Sequence, residues 1–288
     1  MKIKDVINKL KFDYHGRYWN QKNIDEETTH DKVLYGSVDS ECTGIVTTCF
    51  CSVAAIERAH KLGCNLIIAH EGMFYNHGDH TSRYRNNLVY LRKKELLDRY
   101  GITVWRDHDY IHAGIPLDDG TFADGIFYGL TEKLGWHDYV KSPYQITMNY
   151  EFKEGIRLLD LAKYLTDTLG VNGVRIIGDE NSIVHTVRRS LHILGDDEDE
   201  LEYIEQNNVD CIITMEMVDF TIQGYIRDAY LMGFNKPIIS VGHFNIEEPG
   251  MEYFAECLKK IFKDLNIYFV KAQDSFKFVT VDNYMEHE

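Results

Sequence analysis

The chain has 288 residues, 44% hydrophobic and 27% charged, which is enough apolar material for packed α/β lobes and too much for a disordered chain. A formal charge of -15 argues against a surface that grips duplex nucleic acid, because such a surface needs clustered Lys and Arg. The opening MKIKDVINKL spaces its charges too closely for a signal peptide or membrane span, so a cytoplasmic location is expected, with the six cysteines read mainly as reduced core thiols.

Gly44–Cys51, GIVTTCFC, reads as the first strand, and Ser52 is placed to cap a helix over VAAIERAHKLG that Gly63 stops. NLIIAHEG follows as a continuous apolar run of the kind buried on both faces of a parallel sheet, and it delivers His70 and Glu71 at the strand exit. Beyond the polar loop NHGDHTSRYRNN, a helix is expected over Leu88–Arg99, ended by Gly101. The strand ITVW then runs into RDHDYIHAG with His108 and His112. Phe122–Leu134 reads as a helix with Phe127, Leu130 and Leu134 on one stripe, and the first lobe is assigned to residues 1–135.

Residues 136–288 form the second lobe. It begins with a linker, WHDYVKSPYQITMNYEF, with room for a strand or hairpin. The series continues with helix LLDLAKYLTDTLG, strand VRIIG, a helix or strand around IVHTVRRSLHILG, and a solvated acidic loop at Asp196–Glu200 that enters a helix. Helix LEYIEQNN, strand DCIITM, a helix over Phe220–Met232 and strand PIISV come next. GHFNIEEP is read as a partly ordered loop, with Pro249 in the first turn of a helix over Met251–Lys263, before the strand NIYFV. The expected fold is α/β: two similar three-layer α/β/α lobes with mainly parallel or mixed sheets, whose C-terminal elements are free to pack on the first lobe and intertwine the two.

Three loops carry histidine where strands end: His70 with Glu71, His108 with His112, and His243 with Glu247. Each pair alone also suits an ordinary solvated loop. His70 and Glu71 differ, since a charged group at the end of an apolar strand is costly unless a partner or metal compensates. Together the loops hold a mixed N/O donor inventory suited to Zn, Mn, Fe, Co or Ni. A lone CxC pair at Cys49 and Cys51 is a weaker metal signal.

NLIIAHEGMFY, the segment around HDYIH, MEM near Glu216 and ISVGHFNIEEPG resemble, in order, the blocks of the Ngg-interacting-factor-three-like proteins. That family has a dinuclear metal centre and is often labelled type 2 GTP cyclohydrolase I homologue. Matched residue by residue, the resemblance implies a ligand set of His70, Glu71, His112, His243 and Glu247, holding two divalent transition-metal ions per chain. The family pattern has a second histidine where this chain has Glu71, proline at Gly72, and aspartate at His112. The exchange preserves three imidazoles and two carboxylates but moves the carboxylate able to bridge two ions. Asp118 or Asp119 is the substitute if a ligand is misassigned.

His108, Glu71 and Glu216 are the candidates for proton transfer, with His77 and His80 as further possibilities. The resemblance implies a homo-oligomer, a hexamer built on dimers. The expected activity is metal-dependent hydrolysis of a nucleotide, phosphoester or related amide, with a phosphorylated small molecule as partner. A metal-binding scaffold and a GTP cyclohydrolase are the alternatives.

Overall fold

The computed structural model describes residues 1–18, 20–195 and 198–279. Of the expected acidic loop, Asp196 and Asp197 lie outside the described residues. In chain order the elements begin with α1 (Ile3–Asp13), β1 (Val33–Tyr35), β2 (Ile45–Thr48), α2 (Val53–Lys61), β3 (Leu66–Ala69), α3 (Leu88–Tyr100) and β4 (Thr103–Arg106). Next come α4 (Asp109–Ala113), β5 (Ile115–Pro116), β6 (Phe122–Ala123), α5 (Gly125–Leu134), β7 (Met148–Arg157), α6 (Leu158–Leu169), β8 (Arg175–Ile177) and β9 (Ile183–Arg189). The series closes with α7 (Glu198–Gln206), β10 (Cys211–Thr214), α8 (Ile222–Leu231), β11 (Ile238–Ser240), α9 (His243–Ile261) and β12 (Ile267–Phe269). The chain divides into two units, Met1–Glu132 with Glu247–Ala272, and Lys133–Ile246 with Gln273–Glu288.

The first unit is built on a five-stranded sheet ordered β1-β4-β3-β2-β12, in which only β1 runs antiparallel to its neighbour. β2, β3 and β4 are buried at every position, the burial their uninterrupted apolar and β-branched runs require. Ser52 caps α2 by accepting the Ala55 amide at 3.1 Å, and Ile56 and Ala59 of that helix join Val46, Ile67, Leu97 and Val104 in one core cluster. α1 buries Ile3, Val6, Ile7 and Leu10, the face that helical spacing places together.

Two expected elements shift here. Phe122 and Ala123 pair with β5 instead of opening a helix, and α5 starts at Gly125, where Asp124 Oδ1 accepts the Ile126 and Phe127 amides at 3.0 and 3.1 Å. GHFNIEEP is helical from His243 rather than a loop, with Pro249 inside α9. Close packing outweighs proline's local cost: a Cβ on Gly250 would lie 2.4 Å from Ile126 Cα, so α5 and α9 meet backbone to backbone there.

The second unit repeats the plan. Its sheet is ordered β7-β9-β10-β11-β8, with β9, β10 and β11 mutually parallel and the two outer strands antiparallel. Ile204, Ile222 and Ile226 from α7 and α8 close over Ile212 and Ile238 of the sheet. The segment around IVHTVRR is a strand, and the linker candidate supplies β7. Glu198, Asp199 and Glu200, expected where a solvated loop enters a helix, already form the first turn of α7, where acidic side chains suit the positive end of the helix dipole. Glu200 also takes a two-pronged ion pair from Arg188 at 2.7 and 2.9 Å. Both units are thus α/β/α lobes of similar plan.

Candidate metal centre

In the first unit, ligand-type side chains leave the carboxyl ends of adjacent parallel strands, the edge where an open α/β sheet collects ligands. His70 and Glu71 follow β3, and their amides extend its pairing by donating to the Thr48 and Cys49 carbonyls at 3.1 and 2.8 Å. His108 follows β4, after Asp107, whose amide donates to the Ala69 carbonyl at 2.9 Å. His112 stands one turn later on α4, and Glu247 comes from α9.

Three imidazoles are each tethered through Nδ1. His70 Nδ1 lies 3.1 Å from the Asp107 carbonyl, His108 Nδ1 2.9 Å from Asp109 Oδ1, and His112 Nδ1 2.9 Å from Asp124 Oδ2. An oxygen acceptor requires the ring proton on Nδ1, which leaves the Nε2 lone pair as the donor to a cation. The rings converge, with the His70 centroid 4.8 Å from that of His108 and 4.9 Å from that of His112. The ligand atoms of His70, His108 and His112 lie within 4.8 Å of one another, as do those of His70, Glu71 and Glu247. His70 Nε2 is fully buried without a hydrogen-bond partner among the described residues, 3.5 Å from Glu247 Oε1.

The carboxylates are divided between protein and centre. Glu71 Oε2 accepts from Arg106 Nη2 at 3.0 Å, while its Oε1 faces His108 Nε2 at 3.7 Å. Arg106, 1% exposed, also donates to the His70 and His77 carbonyls and so fixes the loop after β3. The Cys49 thiol donates to Glu247 Oε2 at 3.7 Å. Burial pushes His108 down to about 3 against the pull of Asp109, whereas for His112 the Asp124 carboxylate outweighs burial and raises the ring. Burial also drives the Cys49 thiol well up, helped by the charges of Glu247 and Glu71.

Of the expected site residues, His70, Glu71, His108, His112 and Glu247 fall in these first-unit groups. His243 belongs to a group in the second unit with His192 and Glu216, whose Oε1 lies 3.1 Å from Nδ1 of each ring. Burial acts to raise Glu216, but the hydrogen bonds from His192 and His243 hold it near 2. Asp118 instead pairs with Lys260 at 2.8 Å, and Asp119 accepts from the Thr121 amide and hydroxyl. His77 stands at the edge, its Nδ1 3.6 Å from Glu71 Oε2, and the His80 amide donates to Asn76. Sequence reasoning did not single out Asp109, Asp124, Arg106, Cys49 or His192 for these parts. Arg106, closing an otherwise apolar strand, was the available signal.

A duplicated α/β/α protein with clustered imidazoles and carboxylates at strand exits is the class that fold and site define. Residues 1–275 match the Duf34/NIF3 (NGG1p interacting factor 3) family, and the chain belongs to it. It is 24% identical over 292 residues to a Clostridium perfringens protein named GTP cyclohydrolase 1 type 2 homolog, covering 97% of this chain and 100% of that one. A Clostridium acetobutylicum protein of the same name is 22% identical over 259 residues, 90% of each chain. Among solved structures, a Bacillus cereus protein related to NIF3 superposes with a TM-score of 0.68 at 14% identity, covering 97% of this chain and 99% of that one. A hypothetical protein from Staphylococcus aureus gives a TM-score of 0.67 at 19% identity with the same coverage. These structural likenesses establish the fold.

Proposed function

We propose that this protein is a metal-dependent hydrolase that acts on a nucleotide, phosphoester or related amide. The observation that carries the reading is the set of three imidazoles, each tied down through Nδ1, whose ligand atoms lie within 4.8 Å of one another, with His70 Nε2 3.5 Å from Glu247 and His108 Nε2 3.7 Å from Glu71. The buried, unpartnered His70 Nε2 fits a cation, because a lone pair taken from water without a partner is costly. His70, His108, His112, Glu71 and Glu247 would hold two divalent transition-metal ions drawn from Zn, Mn, Fe, Co and Ni. Bound there, such ions lower the pKa of water and polarise a phosphoryl or carbonyl oxygen.

The remaining work falls to side chains. Glu71, with Oε2 held by Arg106, would keep Oε1 for a cation or for a proton of the attacking water. His108, tied through Nδ1 to Asp109, would give its one free lone pair to a cation and orient that water rather than take its proton. Arg106 orients Glu71 by donating to its Oε2 at 3.0 Å. Glu216, expected as a proton-transfer group, is engaged by two imidazoles in the second unit.

We also propose a cytoplasmic homohexamer, a reading supported by the family resemblance. Among the described residues no helix is long and apolar enough to cross a membrane. Sedimentation equilibrium at micromolar concentration should give six chains, and a concentration-independent monomer would reject the assembly. For activity, protein reconstituted with each metal is tested on nucleoside triphosphates including GTP, on phosphoesters and on amides, with and without chelator. Metal-dependent product release is expected. Tight metal retention with no turnover across the panel would sink the hydrolase in favour of a scaffold, and ring opening of GTP would favour the activity in the relatives' name.

A further inference from the structure

Among the described residues, two further histidines stand at the rim of the first-unit centre, outside both of its groups of ligand-type side chains. The rings of His30 and His77 lie edge-on to His108, with centroids 5.6 and 5.4 Å from it, and they meet each other at 4.4 Å. Each is fixed by the residue that fixes a neighbouring ligand. Asp109 holds His108 Nδ1 with Oδ1 and accepts the His30 amide on Oδ2 at 2.9 Å. Arg106 Nη2, which donates to Glu71 Oε2, lies 3.3 Å from His77 Nδ1, and its Nη1 donates to the His77 carbonyl.

The partner of His77 decides its tautomer. A guanidinium has no acceptor, so Arg106 Nη2 can donate to Nδ1 only where that atom carries a lone pair, and the proton of the neutral ring is then on Nε2. His70, His108 and His112 are the opposite case, since their Nδ1 atoms face oxygen acceptors. His77 therefore has no lone pair left for a cation but keeps an N–H donor, on a side chain 57% exposed and open to a ligand. Among the described residues the His30 ring makes no hydrogen bond, so the one N–H that a neutral imidazole carries is free as well.

A cation held by His108 and Glu71 Oε1 would sit about 2.0–2.2 Å from each donor atom, which brings a group bound to that ion within reach of both rim rings. Two N–H donors beside a cation suit a group with several oxygens. A carbonyl has one oxygen and commits it to the ion, whereas a phosphoryl group has one for the ion and others for the donors. Neutral donors also fit the position, since an imidazolium there would repel the ions. We propose that His30 and His77 bind the phosphoryl oxygens of the substrate at the first-unit centre, so that the substrate is a phosphoester or nucleotide and not an amide. The proposal rests on the metal-dependent hydrolase reading.

The test is calorimetric titration of inorganic phosphate into the full chain loaded with zinc and freed of excess metal, with zinc per chain measured for wild type, His30→Leu, His77→Leu and His77→Gln. Wild type should bind phosphate. Each leucine variant should bind it about 10 to 100-fold more weakly at unchanged zinc content, the loss expected for one hydrogen bond to a charged group. His77→Gln should recover most of the affinity, because its side-chain amide keeps an N–H donor. Equal phosphate affinity in wild type and both leucine variants, or zinc-loaded wild type that binds no phosphate, overturns the proposal and leaves the metal centre standing. Loss of zinc from the leucine variants would make the two rings ligands and overturn it as well. Wild type that holds no zinc refutes the hydrolase reading, and this proposal with it.

Discussion

Asp124→Asn separates metal binding from folding. Asp124 has two duties: Oδ1 accepts the Ile126 and Phe127 amides at the start of α5, and Oδ2 accepts from His112 Nδ1 at 2.9 Å. An asparagine that keeps its carbonyl oxygen on the two amides must turn its NH₂ toward His112. That donor requires a lone pair on Nδ1, which forces the ring proton onto Nε2, the atom needed by a cation. Loss of an oxygen that orients a ligating histidine typically costs about 10 to 100-fold in metal affinity, or about 1.4–2.7 kcal/mol. Because the helix cap survives, the metal-free variant should unfold within about 1 kcal/mol of wild type, whereas Asp124→Ala should lose a further 0.5–2 kcal/mol, roughly, with the cap. Competition titration with zinc gives the affinity, and urea unfolding of the apo proteins gives the stability. Wild-type zinc affinity in Asp124→Asn would refute the claim that His112 binds through Nε2.

Arg106→Met should cost about 3–5 kcal/mol in urea unfolding, since it strips the buried partner from Glu71 along with the donors to the His70 and His77 carbonyls. Gly72→Ala should cost about 1–3 kcal/mol, because its Cβ would sit 2.9 Å from the Asn76 carbonyl; an unchanged midpoint would show that the loop yields. Burial holds the Lys93 ammonium, which is 2% exposed, below its ordinary value of 10.5. The folded chain therefore binds fewer protons than the unfolded one between those two values, and wild-type stability should rise with pH across that window relative to Lys93→Met. Parallel pH dependences of the two unfolding free energies would contradict this.

Strands were the legible part of the fold. LIIA, TVW and CIIT are uninterrupted apolar or β-branched runs, and all three are buried strands. α1 was visible in the spacing of Ile3, Val6, Ile7 and Leu10, although the opening segment was weighed only as a possible leader. The start of α9 was not legible, because Pro249 reads locally as a helix boundary and the contact that overrides it, Gly250 against Ile126, is set by tertiary packing. In the site, ligand types could be listed from strand exits, but tethering could not. The acceptors for His70, His108 and His112 are a main-chain carbonyl, an adjacent aspartate and an aspartate twelve residues on, and residue type alone distinguishes none of them from solvated neighbours.

The most direct test of the first-unit centre is anomalous scattering from crystals of protein reconstituted with cobalt or zinc, read at the position of His70 Nε2. The account predicts a metal peak about 2.0–2.1 Å from that atom, with Glu71 or Glu247 oxygen completing the shell. No peak there with excess zinc, manganese, iron, cobalt or nickel would contradict it.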